Sequence, residues 1–138
     1  MRSLYRADAA ERERVVHTVT VALESEPDLV YAYLHGSFLT DGDFHDVDVG
    51  VHFGTPADQR LTRVLNLAAR LTREAGFPVD VRALDDAPLA FRFQVFRTGR
   101  LLLTRDEERL ADCMERTIRE YLDIEPLLRQ ATVEAFGA

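Results

Sequence analysis

The chain has 138 residues, 46% apolar and 30% charged, which fits one compact, core-forming domain and excludes a disordered or fibrous chain. Its 24 acidic residues outnumber 17 basic ones, all of them arginine, for a net charge of -7. Without a lysine there is no Schiff-base chemistry and no lysine-dependent phosphate cradle, and an acidic chain is a poor grip for a nucleic-acid backbone.

Cys113 is the single cysteine, so no internal disulfide forms, and it is expected to be a core residue. The histidines at 17, 35, 45 and 52 lack zinc-ligand spacing. With no long apolar run and no signal-like N-terminal segment, the expectation is a cytoplasmic protein without membrane contact. One domain is expected over 1–138, with a core over about 8–104 and a C-terminal helical segment over about 105–136.

Val15, Val16, Val19, Ala22 and Leu23 recur at helical spacing and predict a first helix over roughly 8–25. LVYAYLH (29–35) reads as a strand stopped by Gly36-Ser37, and DVDVGVHF (46–53) alternates as a strand does. Thr55 is expected to cap a second helix with Pro56 in its first position, and Leu61, Val64, Leu65, Ala68 and Leu71 carry its face as far as Gly76. A strand over 78–84, an Asp85-Asp86 turn, a helix from Pro88 to Arg97 and a strand at Leu101 to Leu103 follow. Thr104 to Glu107 fits a capping box for a last helix with an apolar stripe from Leu110 to Leu122, which Pro126 is expected to kink or restart. That stripe could extend into a partner surface. The order α, β, turn, β, α, β, α, β, α gives an α/β (α+β) fold, a small mixed sheet of about four strands flanked by helices.

The second strand, second helix and third strand form a β-α-β unit with parallel strands. Asp46 and Asp48 open one of these strands on one face, and Asp80 sits near the start of the other, so the three project at one edge of the sheet. About ten residues join the first strand to the second, too few for a parallel crossover, so that pair is expected to be antiparallel and to bring Gly36-Ser37 to the same edge. Three gathered carboxylates repel one another unless a divalent cation neutralises them. Oxygen donors of this kind suit Mg2+ with substrate phosphates, and glycine and serine in a turn offer amides to phosphate oxygens. Arg82 shares the face of Asp80 and is expected to pair with an aspartate, the other reading being a phosphate ligand. His35 is expected to finish a strand, and Phe91, Phe93 and Phe96 to pack in the core rather than stack on a base.

HGSFLTDGDFHDVDVGV (35–51), followed by VDV (79–81), resembles the minimal nucleotidyltransferases of the DNA-polymerase-β-like superfamily, whose pattern is Gly-Ser, a short loop, Asp-x-Asp and a third Asp on the next strand. DVRALDDAPLAFRFQVFRTGRLLLTRD (80–106) is similar to the continuation in antitoxin-type members of HEPN/MNT toxin-antitoxin pairs, so the resemblance spans about 29 to 122. It implies a polymerase-β-like fold, Mg2+ (two ions) held by Asp46, Asp48 and Asp80, Asp80 also orienting or deprotonating the acceptor hydroxyl, and Gly36 and Ser37 binding ATP. The implied reaction is transfer of AMP to a hydroxyl, a tyrosine of a partner HEPN ribonuclease toxin. The rival reading is an antitoxin that neutralises its toxin by binding alone. A third, modification of a small molecule, would need a second subunit to supply the acceptor site. The chain departs from the family pattern at Phe38, where an arginine is frequent, at Gly42, one residue late, and at His45, in place of a serine.

Overall fold

The computed structural model describes residues 3–40 and 42–136. Residues 1, 2, 41, 137 and 138, which the expected single domain includes, lie outside that description.

The elements are α1 (Ala9–Glu24), β1 (Leu29–His35), a short 3-10 turn (Ser37–Leu39), β2 (Val47–Phe53), α2 (Ala57–Ala75), β3 (Val79–Ala83), α3 (Leu89–Thr98), β4 (Arg100–Thr104) and α4 (Glu107–Phe136). The sheet has the order β3-β2-β1-β4. β2 and β3 run parallel, whereas β1 pairs antiparallel with both β2 and β4. The expected mixed four-strand sheet and its order of elements are thus what the chain forms.

Each strand's period-two alternation divides the core into two layers. On one face Val47, Val49, Val51, Leu34, Ala32, Val79 and Val81 meet Val15, Val19 and Leu23 of α1 and Leu67 and Leu71 of α2. On the other, Tyr31, Tyr33 and Leu84 pack with Val95 and Phe96 of α3 and Leu110 of α4, and Cys113 lies half-buried against this layer.

The helix ends show which capping groups won. Asp8 Oδ1 accepts from Glu11 N–H at 2.8 Å and starts α1. The expected Thr55 cap of α2 is not formed: Pro56 occupies the cap position, helix begins at Ala57, and the Thr55 hydroxyl is buried without a hydrogen bond among the described residues. Proline's fixed φ and missing N–H suit this boundary without any side-chain acceptor. At the far end Gly76, with φ +82°, closes α2 in the left-handed conformation expected of its position. The capping box read at Thr104 shifts by two residues. Thr104 ends β4, and Asp106 Oδ1 accepts from Arg109 N–H at 3.0 Å, because the carboxylate reaches the third amide onward from that position. α4 is assigned continuously through Pro126 rather than restarting there. The proline deprives only the Leu122 carbonyl of a partner, and Leu122 is exposed, so water can take its place.

Arg105 ties the layers together at this junction by donating to the carbonyls of Glu26 and Leu29 at 2.7 and 2.8 Å. No helix among the described residues is long and apolar enough to cross a membrane.

Candidate active site

Strand register brings the sequence-predicted residues to one end of the sheet. Asp48 lies opposite Asp80 in the parallel β2/β3 pair and opposite His35 in the antiparallel β1/β2 pair. Residues paired in this way share a face, so Asp48, Asp80 and His35 all belong to the α3/α4 side. Asp46 immediately precedes β2, one period-two step before Asp48.

Gly36 follows His35 directly and has φ +80°, a conformation that glycine adopts without strain. A Cβ built there would overlap Asp48 Oδ2. The residue is therefore glycine for two reasons: the turn needs positive φ, and the Asp48 carboxylate lies against its backbone. Ser37 is exposed in the 3-10 turn that follows, where its carbonyl accepts from the Thr40 amide at 3.0 Å and the Thr40 hydroxyl at 2.7 Å.

Arg12 holds this loop from behind. It donates to the Phe38 and Gly42 carbonyls, both at 2.6 Å, and its guanidinium lies 5.1 Å from the centroids of the Phe38 and Phe44 rings. Phe38 is itself buried against Phe44 at 4.8 Å, edge to face. The departure from an arginine at position 38 thus places an aromatic anchor under the loop, and an arginine from α1 supplies its carbonyl contacts. His45 is engaged elsewhere, its Nδ1 lying 2.9 Å from the Ser3 carbonyl.

Asp80 and Arg82, two residues apart on β3, meet at 3.8 Å between Asp80 Oδ2 and Arg82 Nε. The expected ion pair is present and loose: the side chains are 51% and 60% exposed, so solvent screening leaves little to hold them together. Arg82 also lies 5.0 Å from the centroid of Phe91, which stands edge-on to His35 at 5.3 Å. Burial lowers the His35 pKa, Asp80 opposes that shift and Arg82 reinforces it. Its Nε2 is buried without a hydrogen-bond partner among the described residues. His35 does finish a strand, and it also lines the site.

Beside the Gly-Ser turn opens a cleft of about 470 Å³, bounded by His35, Gly36, Ser37, Phe91, Gln94 and Thr98. The phenylalanines have separate uses. Phe96 is in the core, Phe93 stacks on Tyr121 at 3.9 Å, and Phe91 forms a cleft wall. Sequence reasoning missed Arg12, Gln94 and Thr98, because their contacts with the loop and cleft come from helices distant in the chain.

The donor set suits a hard divalent cation in chemistry: carboxylates at 46 and 48 on one strand end and at 80 on its neighbour. Among the described residues, however, no group of three His, Cys, Asp or Glu is gathered closely enough to hold a metal ion. An ion here would draw on fewer protein carboxylates and complete its shell with phosphate oxygens and water, the usual arrangement for Mg2+.

Comparison with known proteins follows the same geometry. The fold matches a chain from the complex of the tri-AMPylated Shewanella oneidensis HEPN toxin with MNT antitoxin, at a TM-score of 0.72 and 23% identity, over 92% of this chain and 99% of that one. It matches a chain of a toxin-antitoxin complex with AMP-PNP at a TM-score of 0.69 and 22% identity, over 89% and 98% of the two chains. A chain of the toxin-antitoxin complex MntA-HepT gives a TM-score of 0.66 at 21% identity, over 95% and 100%. No curated protein matches the sequence. The model of the family described as polymerase beta, nucleotidyltransferase matches residues 17–108, from within α1 to the start of α4, and takes in Gly36, Ser37, Asp46, Asp48 and Asp80. The chain belongs to the polymerase beta nucleotidyltransferase family.

Proposed function

We propose that this chain is an adenylyltransferase that moves AMP from ATP to a hydroxyl of a protein partner, a tyrosine of a HEPN ribonuclease toxin, and so acts as its antitoxin. The observation that carries the reading is the register of Asp48 with Asp80, with the Asp48 carboxylate seated on Gly36. The family supplies the reaction class. The structural neighbours, one an AMPylated HEPN toxin with its MNT antitoxin and one a complex with AMP-PNP, support the choice of nucleotide and acceptor.

In the reaction the acceptor oxygen attacks the α-phosphorus of ATP. A new P–O bond forms to the acceptor, the bond to the pyrophosphate oxygen breaks, and pyrophosphate leaves. Asp46 and Asp48 would hold Mg2+, which supplies charge neutralisation on the phosphates when bound. Backbone amides of Gly36 and Ser37 face the triphosphate, and glycine at 36 allows close approach. Asp80 orients the acceptor hydroxyl and takes its proton, a role that its exposure and loose hold on Arg82 permit. Arg82, released from Asp80, would be a fixed positive charge at the same end of the sheet.

The alternative, an antitoxin that acts by covering its toxin, draws on the absence of a preformed three-carboxylate cluster among the described residues. Incubation with α-labelled ATP, Mg2+ and the HEPN protein separates the two readings. Label on the toxin from the wild-type chain, lost with Asp46→Ala and Asp48→Ala together, is expected. Equal labelling by the two proteins contradicts the catalytic reading.

A further inference from the structure

The loop between β1 and β2 carries parts of the site at both ends: Gly36 and Ser37 open it, and Asp46 closes it just ahead of β2. Its first arm is shaped by two local bonds, from the Leu39 amide to the Gly36 carbonyl at 3.1 Å and from the Thr40 amide to the Ser37 carbonyl at 3.0 Å. Neither bond reaches the second arm. The groups that join the arms come from the chain ahead of β1. Arg12, in the first turn of α1, donates from Nη1 to the Phe38 carbonyl and from Nη2 to the Gly42 carbonyl, both at 2.6 Å, so one planar guanidinium spans the loop.

Other contacts fix the guanidinium itself. Its Nε donates to the Ala7 carbonyl at 3.1 Å, and the buried rings of Phe38 and Phe44, one from each arm, have their centroids 5.1 Å from its carbon. Just beyond, Tyr5 and Phe44 exchange backbone hydrogen bonds at 2.8 and 3.1 Å, two residues before Asp46. Arg12 does all this from behind the site. It lines a cleft of about 410 Å³ on the α1 side of the 37–40 turn, whereas His35, Gly36 and Ser37 line the cleft on the α3 side. Hydrogen bonds from a charged donor are the stronger kind, and a fork that grips two acceptors adds geometric definition. A loop clamped in this way is ordered before a ligand arrives; without the clamp, the cost of ordering it would fall on ligand binding and weaken it.

We infer that Arg12 is a positioning residue for the nucleotide: by clamping the two arms of the loop it holds the Gly36 and Ser37 amides and Asp46 in one arrangement, and it touches neither ATP nor metal. Its effect is on ATP affinity, through the backbone, and not on the chemical step. The inference rests on the reading that the site binds ATP.

The test compares wild type with Arg12→Ala, Arg12→Lys and Arg14→Ala, below the melting temperature of each, by calorimetry with ATP and Mg2+ and by AMP transfer to the HEPN protein. Arg14 is the matched control: its Nη2 donates to the Ala75 carbonyl at 3.1 Å, so its loss removes a guanidinium-to-carbonyl bond of α1 without touching the loop. Arg12→Ala is expected to raise both Kd and KM for ATP about tenfold or more, with KM for the acceptor and kcat at saturating ATP within about twofold of wild type. Amide exchange at Leu39 and Thr40 is expected to quicken about tenfold in that variant and to slow again with ATP and Mg2+ bound. Arg12→Lys keeps the charge and loses the fork, so it is expected to follow Arg12→Ala, and it carries the test where the alanine variant does not fold. Arg14→Ala is expected to bind ATP as wild type does. Wild-type affinity for ATP in Arg12→Ala, wild-type affinity in Arg12→Lys, which would make charge rather than clamping the cause, or equal weakening by Arg14→Ala overturns the inference. Weakened binding with unchanged exchange at Leu39 and Thr40 overturns it too. A wild-type chain that binds no ATP removes the proposed reaction and the inference together. Binding that Arg12→Ala weakens, with no AMP transfer by the wild type, would remove the proposed reaction and leave the positioning role standing.

Discussion

At one end of the sheet His35, Asp80 and Arg82 stand together; at the other, His52, Asp85 and Arg60 do. Both groups contain a carboxylate, a guanidinium and a histidine whose Nε2 is buried without a hydrogen-bond partner among the described residues. Their settings differ. Asp85 is 5% exposed, accepts from the Phe53 amide at 3.1 Å, and lies 3.6 Å from both Arg60 Nε and His52 Nδ1, while Tyr31 stacks on the His52 ring at 4.8 Å. Arg60 also pairs with Asp86. Asp80 is 51% exposed and meets Arg82 only loosely, at 3.8 Å. The same chemistry is thus locked into the fold at one end and left able to exchange partners at the other. The proton acceptance proposed for Asp80 suits the open end.

Exchanging the two acids sharpens this contrast most. Asp80→Asn is expected to lower kcat by about 10²–10⁴-fold, the range for a lost general base, and to change unfolding free energy by no more than about 0.5 kcal/mol, as exposed positions do. Asp85→Ala should do the opposite. It leaves the Phe53 amide without its acceptor, removes the buried carboxylate 3.6 Å from Arg60 and His52, and is expected to cost about 3 kcal/mol in denaturant unfolding, with kcat little altered where the chain stays folded.

Gly36→Ala joins the two effects. The backbone conformation alone costs about 1–3 kcal/mol for a side chain at positive φ, and the overlap with Asp48 displaces the carboxylate, so activity and melting temperature should fall together.

A smaller effect lies in pH. Burial holds both His35 and His52 below the ordinary value of 6.5. The unfolded chain then binds more protons than the folded one between those lowered values and 6.5, so stability falls as pH drops through that window and levels off below it. Chemical denaturation across pH 7 to 5 should show the loss, and His35→Gln should flatten part of it. Arg82→Ala is expected to give the smallest stability change, within about 0.5 kcal/mol.

Much of this arrangement was legible in the residues. Strict alternation in DVDVGVHF and the short connection from Gly36 to Asp46 were enough to place Asp46, Asp48, Asp80 and the Gly-Ser turn at one end, because strand direction follows from connection length. Strand β1 has the bounds that its apolar run suggested. The helix starts were less legible. Thr55 and Thr104 look like caps by residue type, but a cap needs its oxygen near the right amide, and Pro56 and Asp106 occupy those places. Long-range groups left no local trace. Arg12 meets carbonyls 26 and 30 residues away, and Asp85 gathers Phe53, Arg60 and His52 through tertiary packing. The outermost place of β3 is likewise a property of strand order.

The most direct test of the two-ended account is AMP transfer to the HEPN protein by Asp80→Asn and Asp85→Asn side by side, below the melting temperature of each. The account predicts label transfer from the Asp85 variant at near wild-type rate and almost none from the Asp80 variant. Equal rates from the two, or loss confined to Asp85→Asn, would contradict it.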